Sequence, residues 1–252
     1  MNVKMNVKMN VEINNTTISA ARKSRAGFQR ADEQIIGSDG LIEEDRARLL
    51  RTQTPEVIAA RGCYSILSPA DLPAEYASYQ RRSGLLLNLW PVLQDRAQGS
   101  QLRPYRPRKR RDKVVKYESP ASQLNCIDAH PFIRHLLPQA EVPLFVTEGI
   151  IKSSAAVSAG LCCVALSGVW SWRGARERGG APLALADWDA IALRGRPVVL
   201  SFDADAFTKK SVYDALARLK AFLERKGARV QCLRLEHGDL EDFFAEGYAR
   251  VA

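Results

Sequence analysis

The stretch PLFVTEGIIKSSAAVSAGLCCVALS, residues 143–167, decides the fold. A short apolar run, LFVT (144–147), leads into a helix-compatible segment that ends on Gly160, and a second apolar run, LCCVALS (161–167), follows at once. The alternation continues outward with PVVLSF (197–202), the strongly amphipathic SVYDALARLKAFLERKG (211–227) and RVQCLRL (229–235). Continuous apolar strands alternating with helices mark a parallel sheet buried on both faces. Residues 141–252 are therefore expected to form an α/β domain with at least four strands and flanking helices.

In an open parallel sheet, functional residues gather at the carboxyl ends of the strands. The first run is followed by Glu148 and Gly149, and the third by Asp203, Ala204 and Asp205. Three carboxylates are thus expected on one edge, where their mutual repulsion calls for a cation. Hard oxygen ligands suit Mg²⁺ or Mn²⁺, and a bound divalent metal orients and neutralises phosphate oxygens. Asp203 and Asp205 would equally serve as caps of the helix that follows them.

Upstream of this half the character changes. The chain has 252 residues and a net charge of +9, yet the part from residue 141 onward is almost balanced. The segment RPYRPRKRRDKVVK (103–116) holds Arg103, Arg106, Arg108, Lys109, Arg110, Arg111, Lys113 and Lys116 against Asp112 alone. Such a density of cations beside Tyr105 and Tyr117 favours nucleic acid over a merely solvated face. A surface helix is expected over 41–50, and a second helix starts at the cap Thr54 with Pro55 in its first position and ends at Gly62. Residues 84–118 read as a meander of three short strands, GLLLNLWPVL, QLRPYRPR and VVKYES, with Pro104 and Pro107 confining the middle one to an edge. Residues 123–139 read as a short helix leading to a linker at Pro138. The expected division is a tail over 1–27, where MNVK is tandemly repeated, a smaller basic α+β domain with a β-meander over 28–140, and the parallel-sheet domain over 141–252.

Several classes are excluded. Hydrophobic residues make up 46% and charged residues 26% of the chain, the composition of a globular protein. No apolar run approaches the roughly 18 to 20 residues of a membrane span, and no secretory leader is recognisable at the start. The five cysteines are an odd count without a CxxC pair, so reduced thiols in the cytoplasm are expected and a zinc site is not. No GxxxxGK[ST] phosphate loop occurs, so the chain is not itself a helicase. His130, His135, Trp170 and Trp172 are expected to be structural, and Cys162 and Cys163 to be inert in a buried strand.

The motifs TEG (147–149) and FDAD (202–205) resemble the Toprim domain, the catalytic core shared by bacterial-type primases, topoisomerases and some nucleases. Together with RGCYSI (61–66), LRPYRPR (102–108), KYESP (116–120), HPFIR (130–134), LSGVWSWR (166–173) and GRPVVLSFDAD (195–205), the order is similar to a Toprim-like family of unknown function found at the front of plasmid, phage and integrated-element replication proteins. The resemblance covers about residues 50–247 and implies a Toprim-type parallel sheet. It further implies Glu148 as general acid or base in nucleotidyl transfer and Asp203 with Asp205 as the metal pair, Glu148 adding a third ligand. Lys152, four residues past Glu148, stands where it could hold a phosphate or tune the carboxylate. The chain departs from its relatives downstream: they show a Gly-Leu-Asp-Asp-like ending, whereas GDLEDFF here supplies Asp239, Glu241 and Asp242 as a further acidic group.

These readings converge on a primase-like, metal-dependent nucleotidyltransferase that takes single-stranded DNA and nucleoside triphosphates during mobile-element replication, beside a separate replicative helicase and away from any membrane. A non-catalytic nucleic-acid-binding module and a metal-dependent nuclease stay open as alternatives. A topoisomerase does not fit, because the chain has no room for a strand-cleaving domain.

Overall fold

The computed structural model describes residues 35–174, 183–202 and 210–233. Asp203, Asp205, Asp239, Glu241, Asp242 and the MNVK tail lie outside the described residues.

Helix α1 (Glu43–Leu50) opens with Glu43, Glu44 and Asp45, acids that suit the positive end of the helix dipole. Helix α2 (Pro55–Arg61) is bounded as its sequence predicts. The Thr54 hydroxyl accepts from the Val57 N–H, Pro55 occupies the first turn, and Gly62 closes the helix at φ 73°. A three-stranded antiparallel sheet follows, built from β1 (Tyr64–Ile66), β2 (Gly84–Asn88) and β3 (Ser100–Pro104) in the order β1-β2-β3. Gly84 is required by close approach, since a Cβ there would lie 2.4 Å from the Arg103 carbonyl oxygen across the ladder.

The expected meander over 84–118 needs correcting. Its third strand comes from upstream, as β1, and VVKYES contributes only a bridge between Leu102 and Glu118 together with one side of a small hairpin, β4 (Lys109–Arg110) with β5 (Lys113–Val114). The three residues of YSI are too few for an alternation to register as a strand, whereas the valines of VVKYES exaggerate strand character. Pro104 does end an edge strand, as its missing N–H demands. Residues 123–139 also differ from expectation. Asp128–Ala129 forms β6, which pairs antiparallel with a strand of the main sheet, and Pro131–Leu136 winds into a 3₁₀ turn instead of a longer helix.

The main sheet uses every run named above: β7 (Leu144–Glu148), β8 (Cys162–Leu166), β9 (Pro197–Ser201) and β10 (Arg229–Leu233), interleaved with α3 (Ile150–Ser158) and α4 (Lys210–Arg225). Strand order is β10-β9-β7-β8-β6, parallel except for β6 at one edge. Helix α4 buries Ala215, Leu216, Leu219, Phe222 and Leu223, the single stripe that its periodicity predicts. That stripe joins Val146, Val198, Leu200 and the rings of Trp172 and Trp188, which lie 5.2 and 5.9 Å from Phe222. Trp172 is thus a packing residue, as expected. Among the described residues, no helix is long and apolar enough to cross a membrane.

Three buried polar groups lock the sheet to its surroundings. Arg196, wholly buried, donates to the carbonyls of Val142, Leu137, Ala192 and Leu136. Arg61 donates twice from Nη1 to the Asp128 carboxylate, at 2.7 and 2.8 Å, and from Nη2 to Ser154 Oγ at 3.1 Å. His130 accepts from the Phe132 N–H at Nδ1, so its Nε2 donates to the Val57 carbonyl at 3.0 Å and the ring is held neutral.

Burial first, and then the Arg61 charge, push the His130 pKa down to about 4. The unfolded ring titrates near 6.5. Between those values the unfolded chain binds a proton that the folded chain refuses, so stability present above pH 6.5 is lost as pH falls towards 4. Denaturant titrations at pH 7 and pH 5 should show a loss of about 2 kcal/mol from this group, and the loss should shrink in His130→Gln. Equal pH dependence in the two proteins would refute it.

Candidate active edge and nucleic-acid interface

The carboxyl ends of β7 and β9 are neighbours. Thr147 pairs with Ser201 across the parallel ladder, and Glu148 pairs with Leu166 of β8 on the other side. Glu148 is the last strand residue and half-buried. Gly149 then takes φ 98° and ψ 140°, a combination open to glycine. No atom lies within 4 Å of where its Cβ would stand, so the requirement is torsional. This turn sends the chain directly from β7 into α3, whose N-cap is Gly149 itself and carries no side-chain cap. Lys152 follows on the first turn of α3, half-buried.

Beneath this edge, Thr147 Oγ1 and Ser201 Oγ are buried with no hydrogen-bond partner. Each such hydroxyl costs about 1–3 kcal/mol. Phe202, buried, anchors the exit of β9. Asp203 and Asp205, two and four positions past Ser201 in sequence, belong to the segment outside the described residues, as do Asp239, Glu241 and Asp242. Among the described residues, no group of three or more His, Cys, Asp or Glu is arranged to hold a metal. What the described residues of the edge do offer is oxygen chemistry: a carboxylate at the end of one strand and two hydroxyls behind it.

The basic segment forms a separate feature. Lys109–Arg110 and Lys113–Val114 pair through a two-residue turn in which Arg111 and Asp112 both have positive φ, 47° and 61°. Those signs define a type I′ turn, whose twist suits a hairpin but whose usual residues are Asn and Gly. The Arg108 carbonyl accepts from the Val115 N–H at 2.8 Å and extends the pairing. Arg110 stands directly opposite Lys113, a like-charge pair that destabilises the bare hairpin. Arg106, Lys109, Arg110, Arg111, Lys113 and Lys116 are exposed, and Arg103 is half-buried in β3.

Arg108 differs from the other seven. Its guanidinium donates from Nε and Nη2 to the carboxylate of Glu118, which is 3% exposed. Glu118 also accepts from Gln80 Nε2, which in turn donates to the Ser119 carbonyl, while the Gln80 side-chain oxygen accepts from the Ala77 N–H. The base of the hairpin is thereby tied to the 3₁₀ turn Ser78–Gln80. Sequence reasoning passed over Glu118, Gln80 and Tyr79. The one sign of them was a lone acid in KYESP just past the basic run.

Elsewhere, Trp170 lies under the Arg173 guanidinium at 4.2 Å, with that of Arg218 5.7 Å away. All five cysteines are free, and burial raises the thiol pKa of Cys162 and Cys163, which leaves both inert as expected.

With this geometry in place, comparison with solved structures gives a consistent match. The chain superposes on the zinc-binding and RNA polymerase domains of the Aquifex aeolicus primase with a TM-score of 0.54 at 13% identity, covering 83% of this chain and 55% of that one. It superposes on a DnaG primase catalytic domain bound to single-stranded DNA with a TM-score of 0.52 at 14% identity, covering 85% and 72%. The fold is primase-like. The E. coli primase catalytic core gives 0.50 at 16% identity over 80% of this chain and 68% of that one. At 13–16% identity the likeness lies in the fold, a mixed α/β arrangement that contains the five-stranded, mostly parallel sheet.

A family described as a domain of unknown function, DUF3854, matches residues 132–245. An uncharacterized protein of Picosynechococcus sp. is 30% identical over 110 residues, which is 40% of this chain and 11% of that protein. The chain therefore spans about half of the Aquifex primase fragment and a ninth of the curated relative. The DUF3854 match takes in β7 to β10 with Glu148, Lys152 and both aspartates of FDAD, and the basic hairpin lies upstream of it.

Proposed function

We propose that this chain is a primase-type, metal-dependent nucleotidyltransferase that acts on single-stranded DNA in the replication of a mobile element in the cytoplasm. One observation carries the reading: in a primase-like fold, β7 and β9 run parallel as neighbours, so TEG and FDAD leave the sheet at the same end. Residues 141–252 would hold the chemistry and residues 28–140 the template, with the basic hairpin gripping its phosphates.

The oxygen donors of this edge suit a hard divalent cation. Glu148, Asp203 and Asp205 would hold Mg²⁺ or Mn²⁺, with Asp239, Glu241 and Asp242 as a further acidic group. When bound, the metal would neutralise the triphosphate oxygens of the incoming nucleotide. Glu148 would take the proton from the attacking 3′-hydroxyl, and Lys152, one turn along α3, would steady a phosphate oxygen. With no P-loop in the sequence, ATP-driven unwinding would come from a separate helicase.

The test is incubation with a single-stranded template, nucleoside triphosphates and either Mg²⁺ or Mn²⁺, with short products and template loss scored together. Short template-dependent products are expected. Template loss without synthesis would point to a nuclease, because the same carboxylates can direct water instead of a 3′-hydroxyl. Retained binding with neither outcome would make the chain a non-catalytic module.

A further inference from the structure

We propose that Tyr79 is a base-stacking platform at the foot of the basic hairpin, which makes this surface selective for unpaired strands; the inference rests on the nucleic-acid reading of the hairpin given above.

Tyr79 is 57% exposed, although it is a large aromatic side chain. It sits in the middle of the 3₁₀ turn Ser78–Gln80, and the Arg108 guanidinium lies 5.2 Å from its ring centroid. Arg108 is the residue immediately before β4, so the ring stands where the hairpin leaves the body of the protein. Neither partner is loosely held. The buried Glu118 carboxylate binds Arg108 through two of its nitrogens and also accepts from Gln80, the neighbour of Tyr79 in the same turn. One buried acid thus fixes both the cation and the turn that carries the ring.

This explains why Arg108 spends its charge on Glu118 while its neighbours face solvent. It supports the ring, and the exposed cations Arg106, Lys109, Arg110, Arg111 and Lys113 are left to meet phosphates. An aromatic face beside a row of cations matches a nucleic-acid strand whose bases are unstacked. In a duplex the bases are already stacked on one another and cannot reach such a ring without being splayed out. The hairpin alone would hold either form through its charge, and Tyr79 supplies the preference.

The experiment compares four proteins: wild type, Tyr79→Ala, Tyr79→Phe, and the triple variant Lys109→Gln, Arg110→Gln, Lys113→Gln. Each is titrated into a labelled oligo-dT strand, the same strand with abasic sites, and a duplex of equal length, at several salt concentrations. Stacking is worth about 1–3 kcal/mol per base, so Tyr79→Ala should lose roughly tenfold or more in affinity for oligo-dT. It should lose less than about twofold on the duplex and on the abasic strand, and Tyr79→Phe should behave as wild type. The triple variant should weaken binding to all three and flatten the salt dependence. If Tyr79→Ala binds oligo-dT as wild type does while the triple variant is impaired, the platform is refuted and the charge reading stands. Equal losses on all three ligands would likewise refute it, because the ring would then act only by supporting Arg108. If the triple variant binds as wild type does, the nucleic-acid reading of the hairpin fails, and the inference with it.

Discussion

Glu148→Gln should abolish primer synthesis, by at least about 10²- to 10⁴-fold, while nucleic-acid binding stays within about twofold of wild type. The substitution keeps the size of the side chain and removes its ability to take a proton. Glu148 is half-buried at the end of β7, just ahead of α3, where its charge contributes about 0.3–1 kcal/mol through the helix dipole. The hairpin that would grip the strand is built from other residues and should be unaffected. A melting curve run with and without Mg²⁺ separates the roles further. Wild type should melt higher with the metal, as any ligand of the native state requires, and Glu148→Gln should lose part of that shift. Synthesis within tenfold of wild type by Glu148→Gln would remove Glu148 from the chemistry, and a wild type with neither product nor metal-dependent shift would favour the binding module.

The second large effect concerns Arg61 and Asp128, whose side chains are 1% and 2% exposed. Asp128 also accepts from the Trp90 N–H at 2.8 Å, and the Trp90 indole donates to the Arg61 carbonyl at 3.1 Å. The pair therefore joins the end of α2, the chain leaving β2, the edge strand β6 and, through Ser154, helix α3. Removing one partner leaves a buried charge without compensation, so Asp128→Asn should destabilise the protein by about 3–5 kcal/mol and lower Tm by about 10 °C. Arg61→Met should do comparable harm. The double variant Arg61→Met, Asp128→Asn should regain much of the loss, because no unpaired charge remains. Additive losses in the double variant would show that the two side chains act independently.

How much of this was legible in the sequence depended on the length of each signal. The runs at 144–147, 161–167 and 197–202 are continuous and apolar because β7, β8 and β9 each have a strand on both sides, whereas 229–235 mixes Arg229, Gln231 and Arg234 with its apolar residues because β10 is an edge strand; α4 is amphipathic because one face alone is covered. Thr54, Pro55 and Gly62 state the limits of α2 by local chemistry. The strands β1 and β6 are three and two residues long, too short for a period to show, and each exists because a longer strand elsewhere supplies its partner. The type I′ turn escaped notice because Arg111-Asp112 lacks the Asn or Gly that normally marks it. At the site, Glu148 was readable from its place at the end of an apolar run. The node of Glu118, Gln80 and Arg108 was not, since only the tertiary fold brings residues 80, 108 and 118 together. The same holds for Arg61 and Asp128.

The strand order also fixes how the molecule can assemble. The β7–β8 ladder joins Leu144 to Cys162 across one helix, and the β2–β3 ladder joins Leu86 to Leu102 across one loop. The β7–β9 ladder must instead bring Val198 back to Leu144, past β8 and everything that follows it. Tripling the length of a closed loop adds about 1 kcal/mol of entropic cost before any contact offsets it, and parallel pairings of this kind form late for that reason. The two motifs that the proposed chemistry needs are therefore joined by the slowest closure among these ladders. A chain released half-folded would already carry its basic hairpin on a local scaffold while TEG and FDAD were still apart, so the proposed strand-holding surface would precede the proposed catalytic edge.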